Sequence, residues 1–361
     1  MKKVFVSGCY DILHGGHIEF FNQAKSLGDY LVVCFAGDKS LEMHKHKKSS
    51  LPEAHKKRLL ESLSMIDEVV IGDYLGEMGL DFKEHFLRIR PDILAVTEDD
   101  KYEIEKTKLC DEVSAEYVVL PKTLNFEKIS TTEIINYIKA PTEIALRVDF
   151  AGGWLDVPKF AREDSYIVNC TITPTVSLNK WDYEMGGGLG GSAAYAILTG
   201  KNSIQSELDL GVGWQDPAVI LETGLCVWKS GQRPELEFKT NSNFLNGKMA
   251  LLWTGKNHTT YHNVDLKRDF EKIVEASILA REALNPLDMD YDKLCQAVNM
   301  SYEVQLDEGM NALPSYNELA KKYSGGGHGG YALYMFLNET ERNEFLKQEN
   351  TLKIEPHIKN H

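Results

Sequence analysis

Gly8-Cys9-Tyr10-Asp11-Ile12-Leu13-His14-Gly15-Gly16-His17 directly follows the apolar run Val4-Phe5-Val6, where a first strand should pass into a first helix. A helix N-terminus at this place offers unpaired backbone N–H groups and the positive end of the helix dipole. The glycines let a phosphate approach the backbone, and His14 and His17 can donate hydrogen bonds to it. The stretch therefore predicts a phosphate site. Alternatively, His14 is only a turn residue and His17 only a first-turn helix residue. That interpretation suits an isolated histidine better than it suits the whole ten-residue stretch.

Length and composition narrow the class of protein. A chain of 361 residues favours two domains. The formal net charge of -14 argues against nucleic-acid and anionic-membrane partners, because binding to either needs a basic surface. Six cysteines without a close C-x-x-C pair indicate reduced thiols rather than disulfides or a zinc site. The run after Met1 is too short for a signal sequence and no apolar stretch approaches membrane-spanning length, so we expect a cytoplasmic protein.

Residues 3 to 139 alternate short β-rich runs with helical periodicity. This order predicts an α/β domain with a doubly wound parallel sheet, whose ligands bind beyond the carboxyl ends of the strands where the winding reverses. Ala140-Pro141-Thr142 ends the last helix, since proline cannot extend it. We therefore predict domains over residues 1–139 and 140–361. The predicted elements of the first domain cover residues 4–7, 18–27, 30–36, 52–63, 68–71, 82–87, 93–96, 102–113, 117–120 and 131–138.

Three further groups of side chains follow strands or open helices in this domain. Lys48 and Lys56 belong to basic runs that can reach a triphosphate, although such runs are also typical of solvated helix faces. Asp99, in the acidic turn after the fourth strand, can hold a base amine, a substrate hydroxyl or Mg²⁺, and a solvated turn is an equal alternative. Ile129-Ser130-Thr131-Thr132 opens the last helix and can bind phosphate through free N–H groups, although a capping box from Ser130 to Glu133 would have the same sequence.

The string His14-Gly15-Gly16-His17 and the later Ile129-Ser130-Thr131-Thr132 together resemble the motifs of the cytidylyltransferase-like nucleotidyltransferases, over nearly all of residues 1–139. Within that family the chain is similar to the glycerol-3-phosphate cytidylyltransferases and to the adenylyltransferases that make ADP-heptose. The resemblance implies that a substrate phosphate attacks the α-phosphorus of CTP or ATP and that pyrophosphate leaves. His14 and His17 would stabilise the developing charge, and Mg²⁺ would bridge the phosphates.

The same resemblance implies the binding residues of the first domain. Lys122 stands where the glycerol-phosphate enzymes carry an arginine; it keeps the charge but loses the bidentate fork, which predicts a different acceptor site. Related transferases often dimerise, so a homodimer is also an expectation. The implied nucleotide and phosphate contacts are Gly8, Tyr10, Asp11, Gly16, Lys48, Lys56, Lys122, Ser130, Thr131 and Thr132, with Asp99 on the substrate side.

Three motifs follow the predicted boundary. Arg147 and Asp156 stand nine residues apart across a glycine turn; an arginine can stabilise a transferring phosphoryl group and an aspartate can hold sugar hydroxyls. Gly186–Gly191 leads into a small-residue helical segment with Ser192 placed for Mg²⁺, and it lacks the G-K-S/T ending of a P-loop. Ser324–Gly330 is a second glycine cluster. Each cluster alone is more typical of a flexible turn.

In this order the three motifs resemble the GHMP small-molecule kinases, and the first is most similar to sugar 1-kinases that act on heptose phosphates and fucose. The resemblance implies an α+β domain in which Arg147 is the transition-state cation and Asp156 the sugar ligand. Asp216, in Gly213-Trp214-Gln215-Asp216, is the implied general base, with a turn aspartate before Pro217 as the alternative. Glu207 is a weaker candidate for Mg²⁺. The implied ATP-phosphate contacts are Gly188, Gly190, Gly191, Ser192, Gly326 and Gly327.

One departure from the kinase pattern keeps the function open. Almost nothing remains between the strands ending near Lys180 and the glycine loop, where these kinases insert further strands and a helix. The first hypothesis is a bifunctional enzyme that phosphorylates a sugar or sugar phosphate at the anomeric hydroxyl and then couples the product to a nucleotide. The second is an active nucleotidyltransferase carrying a catalytically inactive sugar-binding or regulatory module. A third, a glycerol-3-phosphate cytidylyltransferase with an unrelated appendage, is weakened by the kinase resemblance.

Overall fold

The computed structural model describes residues 1–45, 49–122, 129–257 and 266–358. The chain folds as two compact units, Met1–Ile135 and Asn136–His361. The division falls inside the helix Thr131–Lys139, and Pro141, on which the predicted domain boundary rests, lies just beyond that helix. Among the described residues, no helix combines the length and the apolar character that crossing a membrane requires.

Unit 1 is a five-stranded parallel sheet with helices on both faces, which confirms the predicted doubly wound fold. The strand order is β3-β2-β1-β4-β5. The winding reverses between β1 and β4, so their carboxyl ends border the crevice in which such sheets bind ligands. The elements are β1 (Lys3–Gly8), α1 (Gly15–Ser26), β2 (Tyr30–Ala36), α2 (Asp38–Lys45), α3 (Glu53–Glu61), β3 (Glu68–Gly72), α4 (Lys83–Ile89), β4 (Ile93–Thr97), α5 (Glu103–Val113), β5 (Glu116–Leu120) and α6 (Thr131–Lys139), which continues into unit 2.

Strand β1 is buried on both faces. Val4 and Val6 belong to the core on one side of the sheet, whereas Phe5 belongs to the core on the other. The Phe5 ring lies 5.5 Å from that of Phe82 and 5.3 Å from that of Phe86, measured between centroids. Because side chains alternate along a strand, an uninterrupted apolar run is what a strand covered from both sides requires.

Two features of unit 1 differ from the prediction. Helix α1 begins at Gly15 rather than at Ile18, because His14 adopts the extended backbone of a helix cap and its carbonyl accepts a hydrogen bond from His17 N at 2.9 Å. Helix α2 was not predicted at all. Its sequence is mostly polar, and Leu41 is its only buried apolar residue, so no periodic apolar face marks it.

Over its described residues, unit 2 combines two antiparallel sheets with the helices α7 to α12, the α+β arrangement expected. One sheet has the order β14-β7-β8-β9, with β6 also paired to β7; the other has the order β11-β12-β10-β13. The two longest of these helices are α10 and α11. The elements are β6 (Ile144–Ala151), β7 (Tyr166–Val176), α7 (Gly191–Leu198), α8 (Ser203–Asp209), α9 (Gln215–Glu222), β8 (Leu225–Lys229), β9 (Glu235–Thr240), β10 (Met249–Trp253), α10 (Phe270–Ala283), α11 (Tyr291–Asp307), β11 (Ala320–Tyr323), β12 (Tyr331–Met335), α12 (Glu339–Phe345), β13 (Thr351–Lys353) and β14 (Glu355–Pro356).

The connection between β7 and α7 is short, as the sequence indicated. Residues 177–190 are all described, and they contain the isolated bridge between Ser177 and Lys180 but no helix or strand. No helix or strand therefore separates β7 from the glycine loop.

Replacing Phe5 by alanine should destabilise unit 1, because the cavity left between the two phenylalanine rings cannot fill by small movements. We expect a loss of about 3–5 kcal/mol in the free energy of unfolding. Urea denaturation followed by far-UV circular dichroism measures it. Ile104→Ala, at an exposed position of α5, is the matched control and should change stability by less than about 0.5 kcal/mol. Equal losses in the two variants would contradict the assignment of Phe5 to the core.

Candidate functional site

His14 and His17 stack against each other at the start of α1. Their ring centroids are 3.9 Å apart, and the Nδ1 atoms of both are buried without a hydrogen-bond partner among the described residues. Burial lowers the pKa of His14, and burial together with the neighbouring His14 lowers the pKa of His17 to about 4. Both rings are therefore neutral at pH 7, and each keeps one N–H group that can donate to a phosphate.

The glycines of this loop fit the aromatic rings around them. A Cβ at Gly8 would lie 2.7 Å from the Tyr10 ring, and a Cβ at Gly16 would lie 3.2 Å from the His14 imidazole. Tyr10 itself is 5% exposed and packs edge-on against His17, with 5.2 Å between the centroids. The structure therefore places Tyr10 in the core beneath the histidines, where it supports His17, rather than on the surface as a nucleotide contact.

Asp11 and Lys56 are both buried. The Asp11 carboxylate accepts hydrogen bonds from Ser49 Oγ at 2.8 Å and from the backbone N–H of Ser50 at 2.6 Å, so it holds a loop in place instead of presenting itself to an anion. Lys56 is 1% exposed, its Nζ donates to the Ala36 carbonyl at 3.3 Å, and burial lowers its pKa. The solvated-face alternative is therefore wrong for Lys56. Lys48 lies outside the described residues.

The start of α6 lies against the histidine loop. Thr131 Oγ1 donates to the Ile12 carbonyl at 3.3 Å. Ser130 N donates to Glu133 Oε2 at 2.6 Å and Glu133 N donates to Ser130 Oγ at 3.2 Å, which is a reciprocal capping box. Ser130 Oγ is thus an acceptor within the helix, and its O–H and the first-turn N–H groups of Thr131 and Thr132 can donate to a phosphate.

Asp99 and Lys122, both predicted site residues, meet at the carboxyl edge of the sheet. They follow β4 and β5, and Lys122 Nζ lies 2.9 Å from Asp99 Oδ2. Thr97 Oγ1 donates to the other carboxylate oxygen at 2.6 Å, and hydrogen bonds from Thr97 and Lys122 lower the pKa of Asp99. The pair is exposed and charged, and β4 neighbours β1, so an acceptor could reach it.

Unit 2 contains a cavity of about 790 Å³. Of the predicted residues in this unit, only Gly327 is absent from its lining, because a Cβ there would lie 2.3 Å from Met310 and the residue packs beneath the surface. The structure thus brings the separate motifs to one place. The predicted lining residues are Arg147, Asp156, Gly188, Gly190, Gly191, Ser192, Glu207, Asp216 and Gly326.

Arg147 joins the glycine loop to the candidate base. Its Nε donates to Asp216 Oδ1 at 2.6 Å and its guanidinium also donates to the Gly188 carbonyl at 2.7 Å. Arg147 is 2% exposed; burial alone would lower its pKa, but the charges of Asp216 and Asp149 raise it, so the guanidinium stays protonated. Gly190 has a φ of 79°, and a Cβ there would lie 3.4 Å from the Arg147 side chain, so the loop passes directly over the pair.

Two residues that sequence reasoning missed connect the glycine clusters. Asp149 forms a buried ion pair with Lys322 and accepts a hydrogen bond from Gly325 N at 3.0 Å. Burial would raise the pKa of Asp149, but Lys322 and Arg147 hold it below its usual value. The spacing of Asp149 two residues after Arg147, on the same face of a strand, was a signal that could have found it. Lys322, 173 residues away, had no such signal.

Asp156 lines the cavity next to Gln215. It is 2% exposed and accepts hydrogen bonds from the backbone N–H of Gln215 at 3.1 Å and from its side chain at 3.2 Å. Burial raises the pKa of Asp156 to about 7. A Cβ at Gly213 would lie 1.7 Å from this carboxylate, which explains the glycine in the motif.

Ser192 and Glu207 are paired at the other side, where Ser192 Oγ donates to Glu207 Oε1 at 2.6 Å. Burial, with a contribution from Asp216, raises the pKa of Glu207 to about 7. A hydroxyl and a carboxylate are the oxygen ligands that Mg²⁺ takes, so the pair fits that ion. No cluster of three or more His, Cys, Asp or Glu side chains suited to a metal occurs in the described ranges.

The histidine loop, the α6 start and the doubly wound sheet define unit 1 as a nucleotidyltransferase domain. The sequence profile of the cytidylyltransferase-like family matches residues 5–137. The FAD synthase of Thermococcus onnurineus (strain NA1) is 36% identical over 141 residues, which are 38% of this chain and 90% of that protein. The glycerol-3-phosphate cytidylyltransferase of Bacillus subtilis (strain 168) is 35% identical over 136 residues, 37% of this chain and 95% of that enzyme. The chain belongs to the cytidylyltransferase-like family.

A crystal structure of mevalonate kinase aligns with a TM-score of 0.47 at 13% sequence identity, covering 60% of this chain and 98% of that one.

Acidification should weaken unit 1 through His17. Its pKa is about 4 in the folded protein and 6.5 in a model peptide, so between these values the unfolded chain binds more protons. The stability that the neutral His17 contributes is therefore fully present above pH 6.5, and it is lost progressively as the pH falls towards 4. The urea midpoint of His17→Gln should fall less between pH 7 and pH 5 than that of wild type. His55→Gln, at an exposed position, is the control; an unchanged pH response in His17→Gln would contradict the buried neutral imidazole.

Proposed function

We propose that the protein is a bifunctional enzyme that makes a nucleotide-activated sugar. Unit 2 phosphorylates a sugar or sugar phosphate, at its anomeric hydroxyl, with ATP. Unit 1 then transfers a nucleotidyl group from CTP or ATP to that phosphate and releases pyrophosphate. The observation that carries the proposal is the convergence of a buried arginine, a carboxylate base and a glycine-rich helix start in the unit 2 cavity, beside an acidic group able to hold a sugar hydroxyl.

In unit 1 the acceptor phosphate oxygen forms a bond to the α-phosphorus as the bond to the leaving pyrophosphate breaks. The neutral rings of His14 and His17 donate hydrogen bonds to oxygens on which charge develops, and the N–H groups at the start of α6 bind from the other side. Asp99 and Lys122, at the neighbouring strand ends, are placed to hold the acceptor. The names of the two relatives described above refer to different products. The proposal therefore includes both CTP and ATP as nucleotides for unit 1.

In unit 2 the Asp216 carboxylate accepts the proton of the sugar hydroxyl as its oxygen attacks the γ-phosphorus and ADP leaves. Arg147 keeps Asp216 in position and its guanidinium stabilises the transferring phosphoryl group. The N–H groups at the start of α7 bind the phosphates of ATP. Ser192 and Glu207 would hold Mg²⁺, which neutralises phosphate charge when bound.

One observation favours the second candidate, a sugar-binding module without kinase activity. Residues 177–190 carry no helix or strand, so this side of the cavity is lined by an irregular segment and not by additional secondary structure. Incubation of the protein with Mg²⁺, ATP or CTP and a panel of sugars and sugar phosphates separates the two, with ADP and pyrophosphate followed separately. ADP formation that needs both ATP and a sugar supports the kinase; sugar binding without ADP supports the module.

His17→Ala should reduce pyrophosphate release by about 10²–10³-fold, because a donor to the transition-state charge is lost. ADP formation in unit 2 should be unchanged. A coupled pyrophosphate assay at saturating nucleotide measures the first, and His55→Ala, exposed on α3, is the matched control. Wild-type pyrophosphate release in His17→Ala would contradict the assignment of the site.

Asp216→Asn should reduce ADP formation by about 10²–10⁴-fold, because the amide cannot accept the proton while its shape is preserved. Pyrophosphate release from a supplied sugar 1-phosphate should be unaffected. Asp209→Asn, in the last turn of the neighbouring helix α8 and outside the cavity lining, is the control. Equal ADP formation in Asp216→Asn and wild type would rule Asp216 out as the base.

A further inference from the structure

Trp154 adopts a backbone conformation that large residues avoid. Its φ is 77°, in the left-handed region that favours glycine. Two glycines, Gly152 and Gly153, stand immediately before it in the sequence, yet a tryptophan occupies this position. Such a conformation persists only where the surrounding structure holds it, and it concentrates at binding sites. Trp154 lines the unit 2 cavity two residues before Asp156. The side chain is therefore held at the wall of the cavity at a conformational cost.

Arg268 covers the indole ring from another direction. Its guanidinium carbon lies 3.7 Å from the centroid of the Trp154 ring, which is a stacked cation–π contact. Arg268 Nε lies 3.2 Å from Glu308 Oε2, and Arg268 also donates to the Leu266 carbonyl at 3.2 Å. The side chains of Arg268 and Glu308 are 0% and 3% exposed, so both charges are removed from water. The ion pair and the bond to the Leu266 carbonyl restrict the positions that the guanidinium can take over the indole.

We propose that Trp154 is the surface on which the ring of the acceptor sugar packs, and that Arg268, held by Glu308, is its positioning residue. This rests on the proposed kinase function of unit 2. An aromatic face packs against the C–H groups of a sugar ring, while hydroxyl groups at the ring edge need polar partners.

The neighbouring residues supply those polar partners. Asp156 lies two positions away, and a Cβ at Gly153 would be 4.0 Å from Gln215 Nε2 and 3.5 Å from Asp149 Oδ2. Gln215 directly precedes the candidate base Asp216. Trp154, Asp156, Gln215 and Asp216 all line the same cavity, so a sugar ring packed on the indole would have these polar groups within the same space.

The test compares Trp154→Leu with Trp253→Leu, a matched tryptophan loss outside the cavity lining. The probes are L-fucose, D-mannose and mannose 6-phosphate, and sugar binding is measured by calorimetry as well as by ADP formation. For the best probe, Trp154→Leu should raise the Kd and the KM by about tenfold or more, with the KM for ATP changed by less than about twofold. Trp253→Leu should leave the Kd unchanged. A Trp154→Leu variant that binds sugar like wild type, or that loses ATP and sugar affinity equally, overturns the proposal.

Arg268 is tested through the same readouts. Arg268→Lys keeps the charge opposite Glu308 but loses the planar group, so the KM for sugar should rise while kcat at saturating sugar stays within about twofold. The double variant Arg268→Met with Glu308→Gln removes both charges and should bind sugar more weakly than Arg268→Lys. Its melting temperature shows whether it is folded. If both variants fold and bind sugar like wild type, Arg268 is not a positioning residue.

The outcomes also separate this proposal from the proposed function. Sugar binding by wild type without ADP formation ends the kinase assignment, and the calorimetric comparison of Trp154→Leu then still decides the role of Trp154. Wild type that neither binds these sugars nor forms ADP with them overturns both proposals.

Discussion

The site in unit 2 depends on one buried guanidinium. Arg147, on β6, contacts Asp216 at the start of α9 and the Gly188 carbonyl in the glycine loop, and it lies beside Asp149. Its charge lies between three negatively polarised groups, of which Asp149 is also paired with Lys322. Without Arg147, Asp216 would lose its counter-charge, whereas Asp149 would keep Lys322. In the proposed kinase reaction the same cation would act on the phosphoryl group, so folding and the proposed chemistry both need an arginine at position 147.

Each unit has a candidate phosphate site, and the charges at the two sites differ. Each places glycines and a helix N-terminus where a phosphate can approach. Unit 1 adds two neutral imidazoles whose Nδ1 atoms have no partner in the described residues, whereas unit 2 adds an arginine already balanced by carboxylates. A neutral donor leaves no buried positive charge when the ligand departs. A balanced arginine permits a carboxylate base to sit beside the transferring group.

Much of unit 1 could be predicted because its signals are local. Apolar runs mark strands covered on both faces, and the two short motifs mark helix starts that the sheet order brings together. Burial could not be predicted from spacing: Tyr10 and Asp11 carry polar groups within the motif, yet both are buried and support the loop from inside. In unit 2, Lys322 could not be found because its partner Asp149 is 173 residues away and only the folded sheet joins them.

The glycine clusters of unit 2 have a structural cause beside the chemical one. A Cβ at Gly325 would lie 2.9 Å from the Gly188 carbonyl, and one at Gly330 would lie 2.6 Å from the Gly187 carbonyl, so the two loops can pack together only as glycines. A module that bound sugar without transferring phosphate would need these glycines equally. The glycines therefore do not distinguish a kinase from a binding module. Asp216 and Arg147 are the residues that make this distinction. Packing alone does not require a carboxylate that lies at a helix start, contacts a buried arginine at 2.6 Å and lines a cavity.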